Sequence, residues 1–413
     1  MTTKITHCRI CNNTNLVPII DLGNQYLTGH FAKQPHDPSI SSGPLSLVKC
    51  TGSAESSCGL LQLEHSYDLE MLYGDNYGYR SGLNQSMSNH LRSKVDKILS
   101  IYKPKPGSVI LDIGSNDGTT LSAYPNDLNL IGMDPTAKKF LQYYPGHIQV
   151  IADFFSSKSF LNATGLKADV ITSFSMFYDL ERPIEFAQEI ADSLNPQEGV
   201  WIFEQSYMPT MLQQVAYDTI CHEHLEYYSL KQVDWILNSV GLKAIDVELN
   251  DINGGSFSVV AAHKNSKYQV AHSVANLRQY EESLRLEELD VYLKFVNDVE
   301  SSRINLLTTI NEINNQYGKI NALGASTKGN VILQYCGLTT DQINSVGEVN
   351  SDKFNCFTPG SWIPIKPEPE VLRYENPFLL ILPWHFRNFF QSNSHINKKK
   401  LLFPLPTIEF IEK

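Results

Sequence analysis

The feature that most restricts this chain is the alternation of apolar strand-like runs with helical or glycine-bearing pieces between residues 108 and 207. The runs are SVILDIG, NLIGMD, IQVIADFF, ADVITSFSMF and GVWIFEQSY. AKKFLQYY and IEFAQEIADSL fall between them with helical spacing, and SNDGTTLSAY reads as a turn leading into a helix. Such alternation predicts an α/β fold with a parallel, doubly wound sheet. A helix precedes it over Met87–Tyr102, with Leu91, Val95, Ile98 and Leu99 at helical spacing and Pro104 and Pro106 as stops. After Tyr207 comes a helix-rich insertion, Pro209–Val240, and then a hairpin in LKAIDVELNDINGGSFSVVAAHK. Residues 270–316 predict a long helix or a pair. KINALGAST, KGNVILQYC, INSVGEVN and PFLLILPWH then resume the alternation as a second α/β unit. The first 70 residues carry only short apolar runs between turn-rich pieces: Leu16–Leu22, Leu45–Val48 and Leu60–Leu63. Three domains are expected, over 1–70, 71–265 and 266–413.

A chain of 413 residues with 42% hydrophobic content can bury that many cores. The formal charge of −11 argues against a nucleic-acid binder, which needs a basic face, but leaves room for a local phosphate site. No run of about 18 apolar residues is present, so no membrane partner is expected. The start, MTTKITHCRICNN, has no apolar run and is not a secretory signal.

Four of the seven cysteines crowd into the first 58 residues. An odd number in a long chain without an export signal argues for a cytoplasmic protein with a metal site rather than a disulfide scaffold. Cys8 and Cys11 form a C-x2-C pair, which sets two thiolates on one tight turn as a tetrahedral zinc site requires. Cys50 and Cys58 form the second pair across a longer loop. Four sulfurs leave no open coordination position, so the zinc would be structural. The alternative is four unrelated buried thiols.

The first strand runs into Asp112-Ile113-Gly114-Ser115-Asn116-Asp117-Gly118. Gly114 permits close approach of a ligand to the backbone, and the crevice over the strand ends is where such sheets bind ligands. A dinucleotide fingerprint would place its glycines differently. The pattern resembles the first motif of class I methyltransferases, whose acid and turn hold the amino-acid end of S-adenosylmethionine. That resemblance implies cofactor contacts from Asp112, Gly114 and Asn116. Asp134 would take the ribose diol, Asp153 the adenine amine and Phe154 the adenine ring, and Ser173 would lie near the sulfonium.

Tyr217–Tyr228 holds the densest chemistry: Cys221-His222-Glu223-His224-Leu225-Glu226. The zinc-hydrolase pattern H-E-x-x-H fails because Glu226, not histidine, follows His222 by four. His222 and Glu226 could share a helical face as a metal pair. The better reading is a general base beside a carboxylate that orients it; the bland one is a pair of structural histidines.

Taken together these motifs resemble the sugar C-methyltransferase family, which acts on nucleotide-linked keto-deoxysugars. The segments that carry the resemblance are Tyr77-Gly78-Tyr79-Arg80-Ser81-Gly82-Leu83-Asn84, Met176–Leu180, His222-Glu223-His224 with Tyr227, and Asn253-Gly254-Gly255-Ser256. In the last domain they are Gly324–Asn330, Asn350 with Asp352-Lys353, Pro359-Gly360 and Pro383-Trp384-His385. The fold implied is a class I methyltransferase core with Rossmann-like topology, a small N-terminal zinc-binding domain and a C-terminal Rossmann-like α/β domain. The activity implied is C-methylation, at C3, of a nucleotide-linked 4-keto-6-deoxyhexose by a monomeric enzyme. His224, paired with Glu223, would remove the C3 proton, with Tyr79, Tyr178 or Asn253 steadying the enolate. Tyr77, His222, Lys328, Gly329, Asn330, Asn350, Lys353 and His385 would bind the substrate, Lys328 at the diphosphate. Two departures stand out: some members carry tyrosine where this chain has Cys221, and the C-x7-C spacing is loose. O-methylation, enolate-forming epimerisation and ligand binding without catalysis remain as alternatives.

Overall fold

The computed structural model describes residues 2–53, 56–68, 72, 80–83, 85–392, 396 and 398–412. In the N-terminal part, β1 (Thr3–Lys4) pairs with β5 (His65–Ser66). Between them β2 (Leu16–Tyr26), β3 (Ser42–Cys50) and β4 (Leu61–Leu63) form an antiparallel meander. These are the short strands the apolar runs predict.

The middle of the chain contributes β6 (Val109–Ile113), β7 (Asn129–Met133), β8 (Gln149–Ile151), β9 (Val170–Phe174) and β10 (Val200–Ser206), all mutually parallel. Two further strands, β12 (Leu242–Asn250) and β13 (Ser256–His263), form the predicted hairpin. It closes the sheet with β13 antiparallel to β10. The order is β12-β13-β10-β9-β6-β7-β8. The chain leaves β6 toward β7 on one side and later returns to β9 on the other, which opens a crevice at the carboxyl end of β6.

Both faces of this sheet are covered, which is why its strands are apolar throughout. Val95 and Ile98 of the helix Gln85–Tyr102 pack with Ile110, Val170 and Ile202 on one face. On the other, Ile190, Val233, Ile236 and Leu277 from three helices pack with Leu111, Ile171 and Trp201. The helix His272–Ser283 thus lies on the central core.

The last sheet has the order β16-β15-β14-β17-β18-β19, built from β14 (Ile320–Leu323), β15 (Ile343–Glu348), β16 (Ile365–Pro367), β17 (Phe378–Ile381), β18 (Lys400–Phe403) and β19 (Glu409–Glu412). Only β19 runs antiparallel. Its first strand also has neighbours reached in opposite directions, a second switch point. No helix among the described residues is long and apolar enough to cross a membrane.

Two expectations need correction. SNDGTTLSAY yields only a 3-10 turn at Leu121–Ala123. Gly118 turns left-handed (φ +76°) against the ring of Tyr144, and Pro125 follows at once, so no helix can propagate. The insertion is α-helical only at Met208–Gln213 and Leu230–Ser239, with a 3-10 turn at Tyr217–Thr219. Between them, β11 (Glu226–Tyr227) leaves the central domain and pairs with β4, extending the N-terminal sheet to β11-β4-β3-β2. The N-terminal strands, the insertion and the last domain consequently share one apolar core.

Candidate functional site

The sulfurs of Cys8, Cys11, Cys50 and Cys58 all lie within 4.8 Å of one another, with Cys8–Cys58 and Cys11–Cys50 each at 3.5 Å. A zinc tetrahedron with bonds of about 2.3 Å has sulfur–sulfur edges of about 3.8 Å, so the cluster fits the ion. The loose C-x7-C spacing is resolved by the hairpin: Cys50 ends β3, Cys58 precedes β4, and Cys50 N–H donates to Leu60 O at 2.8 Å. Arg9, inside the first knuckle, is held by Leu63 O at 2.7 Å and Glu181 at 3.2 Å. The knuckle is thereby fastened to β4, the strand that carries β11.

At the carboxyl end of β6, Gly114 is exposed while Asp112, Ser115 and Asn116 are buried. Its φ of +71° and the 3.3 Å that an added Cβ would leave to Met176 explain the glycine. Asp112 accepts from the Thr172 hydroxyl at 2.5 Å, and burial pushes its pKa up to about 7. Asp134 is buried and already bound at both oxygens, by Thr136 N–H and hydroxyl at 2.6 Å and by Asn116 N–H at 2.9 Å. Asp134 therefore holds the turn, and Asp112 ties β6 to β9. Asp153 and Phe154 project from the end of β8, Phe154 being 54% exposed, a large ring left without cover. An exposed backbone turn on one side and an open aromatic ring on the other suit an adenosyl cofactor. Ser173 is a correction: its hydroxyl is buried in the core and accepts from Trp201 Nε1 at 2.9 Å, facing away from the crevice.

His224 lies in the irregular stretch before β11. Its Nδ1 is 2.8 Å from Thr219 O, so Nδ1 carries the hydrogen and Nε2 keeps a free lone pair. The Tyr178 ring stands edge-on at 4.5 Å. Burial, then the charge of Lys328, lowers the His224 pKa to about 4, so the imidazole is neutral near pH 7. The expected Glu223–His224 pair is corrected here: the orienting acceptor is the Thr219 carbonyl. Glu223 instead hydrogen-bonds Cys221 and faces Gly29, and burial raises its pKa.

His222 turns the other way. It is wholly buried, with Nε2 3.3 Å from Gly43 O and its ring edge-on to Tyr67, and so stands at the joint with the N-terminal sheet and not at a substrate. Lys328, expected at a diphosphate, is held from within the chain. Its Nζ donates to Asn253 O at 2.5 Å, toward His224 and Asp218. Gly329 N–H is capped by the Ser326 hydroxyl at 3.0 Å, and its Cα packs on Leu382. Asn330 is buried and donates to Thr28 O at 2.8 Å. The side chain of Asn350 accepts from Asp352 N–H at 3.0 Å, and Lys353 Nζ donates to Ala325 O at 2.7 Å, both at the carboxyl end of β15. His385 and Trp384 pack against the Asn253–Gly255 turn, close to Lys328. Tyr77 and Tyr79 fall outside the described residues.

The structure thus gathers His224, Tyr178, Asn253, Lys328 and His385 in one place. It adds two groups that sequence reading missed. Asp218 lay in the quoted segment but without a spacing signal, and Thr219 acts through its carbonyl, which has no signature in sequence.

Residues 8–73 match the family described as "Putative zinc binding domain", 83–247 "Methyltransferase domain" and 251–406 "C-methyltransferase C-terminal domain". The chain is 25% identical over 387 residues to the C-methyltransferase NovU of Streptomyces niveus, covering 92% of this chain and 90% of that one. Among solved structures, an O-methyltransferase family protein from Burkholderia thailandensis aligns at TM-score 0.36 and 15% identity, covering 48% of this chain and 64% of that one. The plantazolicin methyltransferase BpumL aligns at 0.34 and 13%, covering 42% and 82%. S-adenosylmethionine is the cofactor of the methyltransferase domain, and zinc is the metal of the four-cysteine cluster. The ordered zinc-binding, methyltransferase and C-terminal domains, with a relative aligned along nearly the whole chain, place this protein in the C-methyltransferase family that its motifs resemble.

Proposed function

We propose that the protein methylates C3 of a nucleotide-linked 4-keto-6-deoxyhexose, with His224 as the base. The observation that carries this reading is the state of His224: Nδ1–H is committed to Thr219 O, leaving Nε2 unprotonated at neutral pH beside a cationic lysine. A ketone acidifies the adjoining C–H, and a neutral imidazole near it can take that proton. S-adenosylmethionine, when bound, supplies the electrophilic methyl carbon. The chain's own residues do the rest. Gly114 and its turn leave room for the cofactor, Phe154 offers a face to its ring, and Tyr178 packs His224 in place. Asn350 and Lys353 stand at the carboxyl end of β15, beside the second switch point, where a nucleotide would lie.

The test is mass spectrometry of protein incubated in deuterated water with S-adenosylmethionine and TDP-, GDP- or CDP-linked 4-keto-6-deoxyhexoses. A product heavier by one methyl group, placed at C3 by NMR and absent with His224→Ala, is expected. Deuterium uptake without methylation would shift the reading to isomerisation. No change in any sugar would overturn it.

A further inference from the structure

We propose that Lys328 is a catalytic residue rather than a diphosphate ligand: facing Asp218 across the site, its ammonium receives the oxygen on which charge develops when His224 removes the acceptor's proton. The inference rests on the reading of His224 as the base.

Lys328 is the second residue of the helix Thr327–Tyr335. At the start of that helix the Ser326 hydroxyl caps Gly329 N–H, Asn330 N–H reaches Ser326 O at 3.0 Å, and the Lys328 side chain is engaged elsewhere, on Asn253 O. The lysine runs inward instead. One N–H is spent on Asn253 O, the carbonyl of a residue held left-handed at φ +55° between the strands of the hairpin. That contact aims the ammonium and leaves two N–H groups. Asp218 is wholly buried. One of its oxygens accepts from Trp384 Nε1 at 2.8 Å, and Oδ1 has no partner among the described residues. His385 Nδ1 is likewise buried without a partner among the described residues. Lys328 and Asp218 act on each other through their charges without forming a direct ion pair. A buried cation with spare donors, close enough to a buried carboxylate for each to feel the other's charge, suits an oxygen-rich ligand, because leaving such donors unused in the interior would be costly.

The chemistry balances within the chain and its acceptor. His224 Nε2 forms a bond to the proton. The C–H electron pair becomes the C=C bond, and the carbonyl π pair moves onto oxygen. Lys328 donates a hydrogen bond to that oxygen and keeps its proton; burial lowers the lysine's pKa, and the Asp218 charge opposes that fall. Reversal in deuterated water returns deuterium to carbon, with no methyl donor needed.

The experiment is therefore solvent exchange into the TDP-, GDP- and CDP-linked 4-keto-6-deoxyhexoses without S-adenosylmethionine, for the wild type and for Lys328→Met, Lys328→Arg, Asp218→Asn and His224→Ala. Affinities are measured by calorimetry and folding by thermal unfolding. Loss of one oxyanion donor costs about 100- to 1000-fold in rate, so Lys328→Met is expected to slow exchange by at least about 100-fold, with sugar-nucleotide affinity within about threefold. Lys328→Arg should recover part of the rate. Removing the cation should also raise the pH midpoint of the residual exchange, since the Lys328 charge lowers the His224 pKa; Asp218, Cys221 and His385 are the titratable groups that face the lysine. If Lys328→Met does not fold, Asp218→Asn carries the test with a slowed exchange. Weakened binding with undiminished exchange at saturation would overturn the proposal and return Lys328 to the diphosphate. Unchanged exchange in His224→Ala would instead overturn the base assignment alone. No exchange in the wild type would overturn both.

Discussion

His222 offers a quantitative test of how the three domains are joined. It is 0% exposed, its Nε2 lies 3.3 Å from Gly43 O, its Nδ1 has no partner among the described residues, and its ring meets Tyr67 at 4.8 Å. Burial lowers its pKa from 6.5 to about 4, against a smaller opposing effect of the Gly43 carbonyl. In the unfolded chain it titrates near 6.5, so between pH 4 and 6.5 the unfolded state binds more protons than the folded one. Stability therefore rises with pH across that window. The contribution is complete above pH 6.5 and is lost as the pH falls toward 4. At 1.36 kcal/mol per unit the full loss is about 3 kcal/mol, of which about 2 kcal/mol is gone by pH 5. His222→Phe keeps a ring against Tyr67 and removes the titration, at a pH-independent cost of about 1 kcal/mol for the lost hydrogen bond. Urea unfolding of the zinc-loaded protein at pH 8 and pH 5 is the assay, read on the transition that includes the N-terminal strands. Between the two pH values the wild type should lose about 2 kcal/mol more than the variant. Because His224 and all other groups titrate in both proteins, they cancel. Equal losses would refute the assignment of His222 as a neutral joint residue.

Two further outcomes are expected. Zinc analysis should give one ion per chain, lost in Cys58→Ser. Its removal should speed hydrogen exchange at Leu63 N–H, which donates to Leu225 O at 2.8 Å just before β11; full protection in zinc-free protein would refute the link from knuckle to His224. Phe154→Ala should weaken S-adenosylmethionine binding by about tenfold, the scale of one aromatic stacking contact, without changing the melting temperature, because the ring is exposed. Unaltered affinity would remove Phe154 from the cofactor site.

The sequence by itself determined the layers of this protein. Apolar runs alternating with helical spacing can be satisfied only by sheets buried on both faces, and β6 to β10 and the β12–β13 hairpin follow from that period. Gly114 stood out in local pattern, because a glycine directly after a buried strand marks a close approach of the backbone, whereas Phe154 entered only through the resemblance to class I methyltransferases. The paired cysteines were legible because zinc imposes a ligand geometry on nearby residues. Tertiary structure decided the directions of side chains in the stretches without period. Whether His224 leans on Glu223 or on the Thr219 carbonyl is settled by an irregular turn five residues long, and the reach of Lys328 to the Asn253 carbonyl depends on packing between segments far apart in the chain. Ser173 shows the same limit within a strand. Alternation tells which residues share a face, but both faces of this sheet are buried, and only the position of Trp201 shows which way Ser173 points. The pairing of β11 with β4 carries the point furthest. Two residues have too little pattern to announce a strand, yet that pairing ties the zinc knuckle to the segment bearing the proposed base.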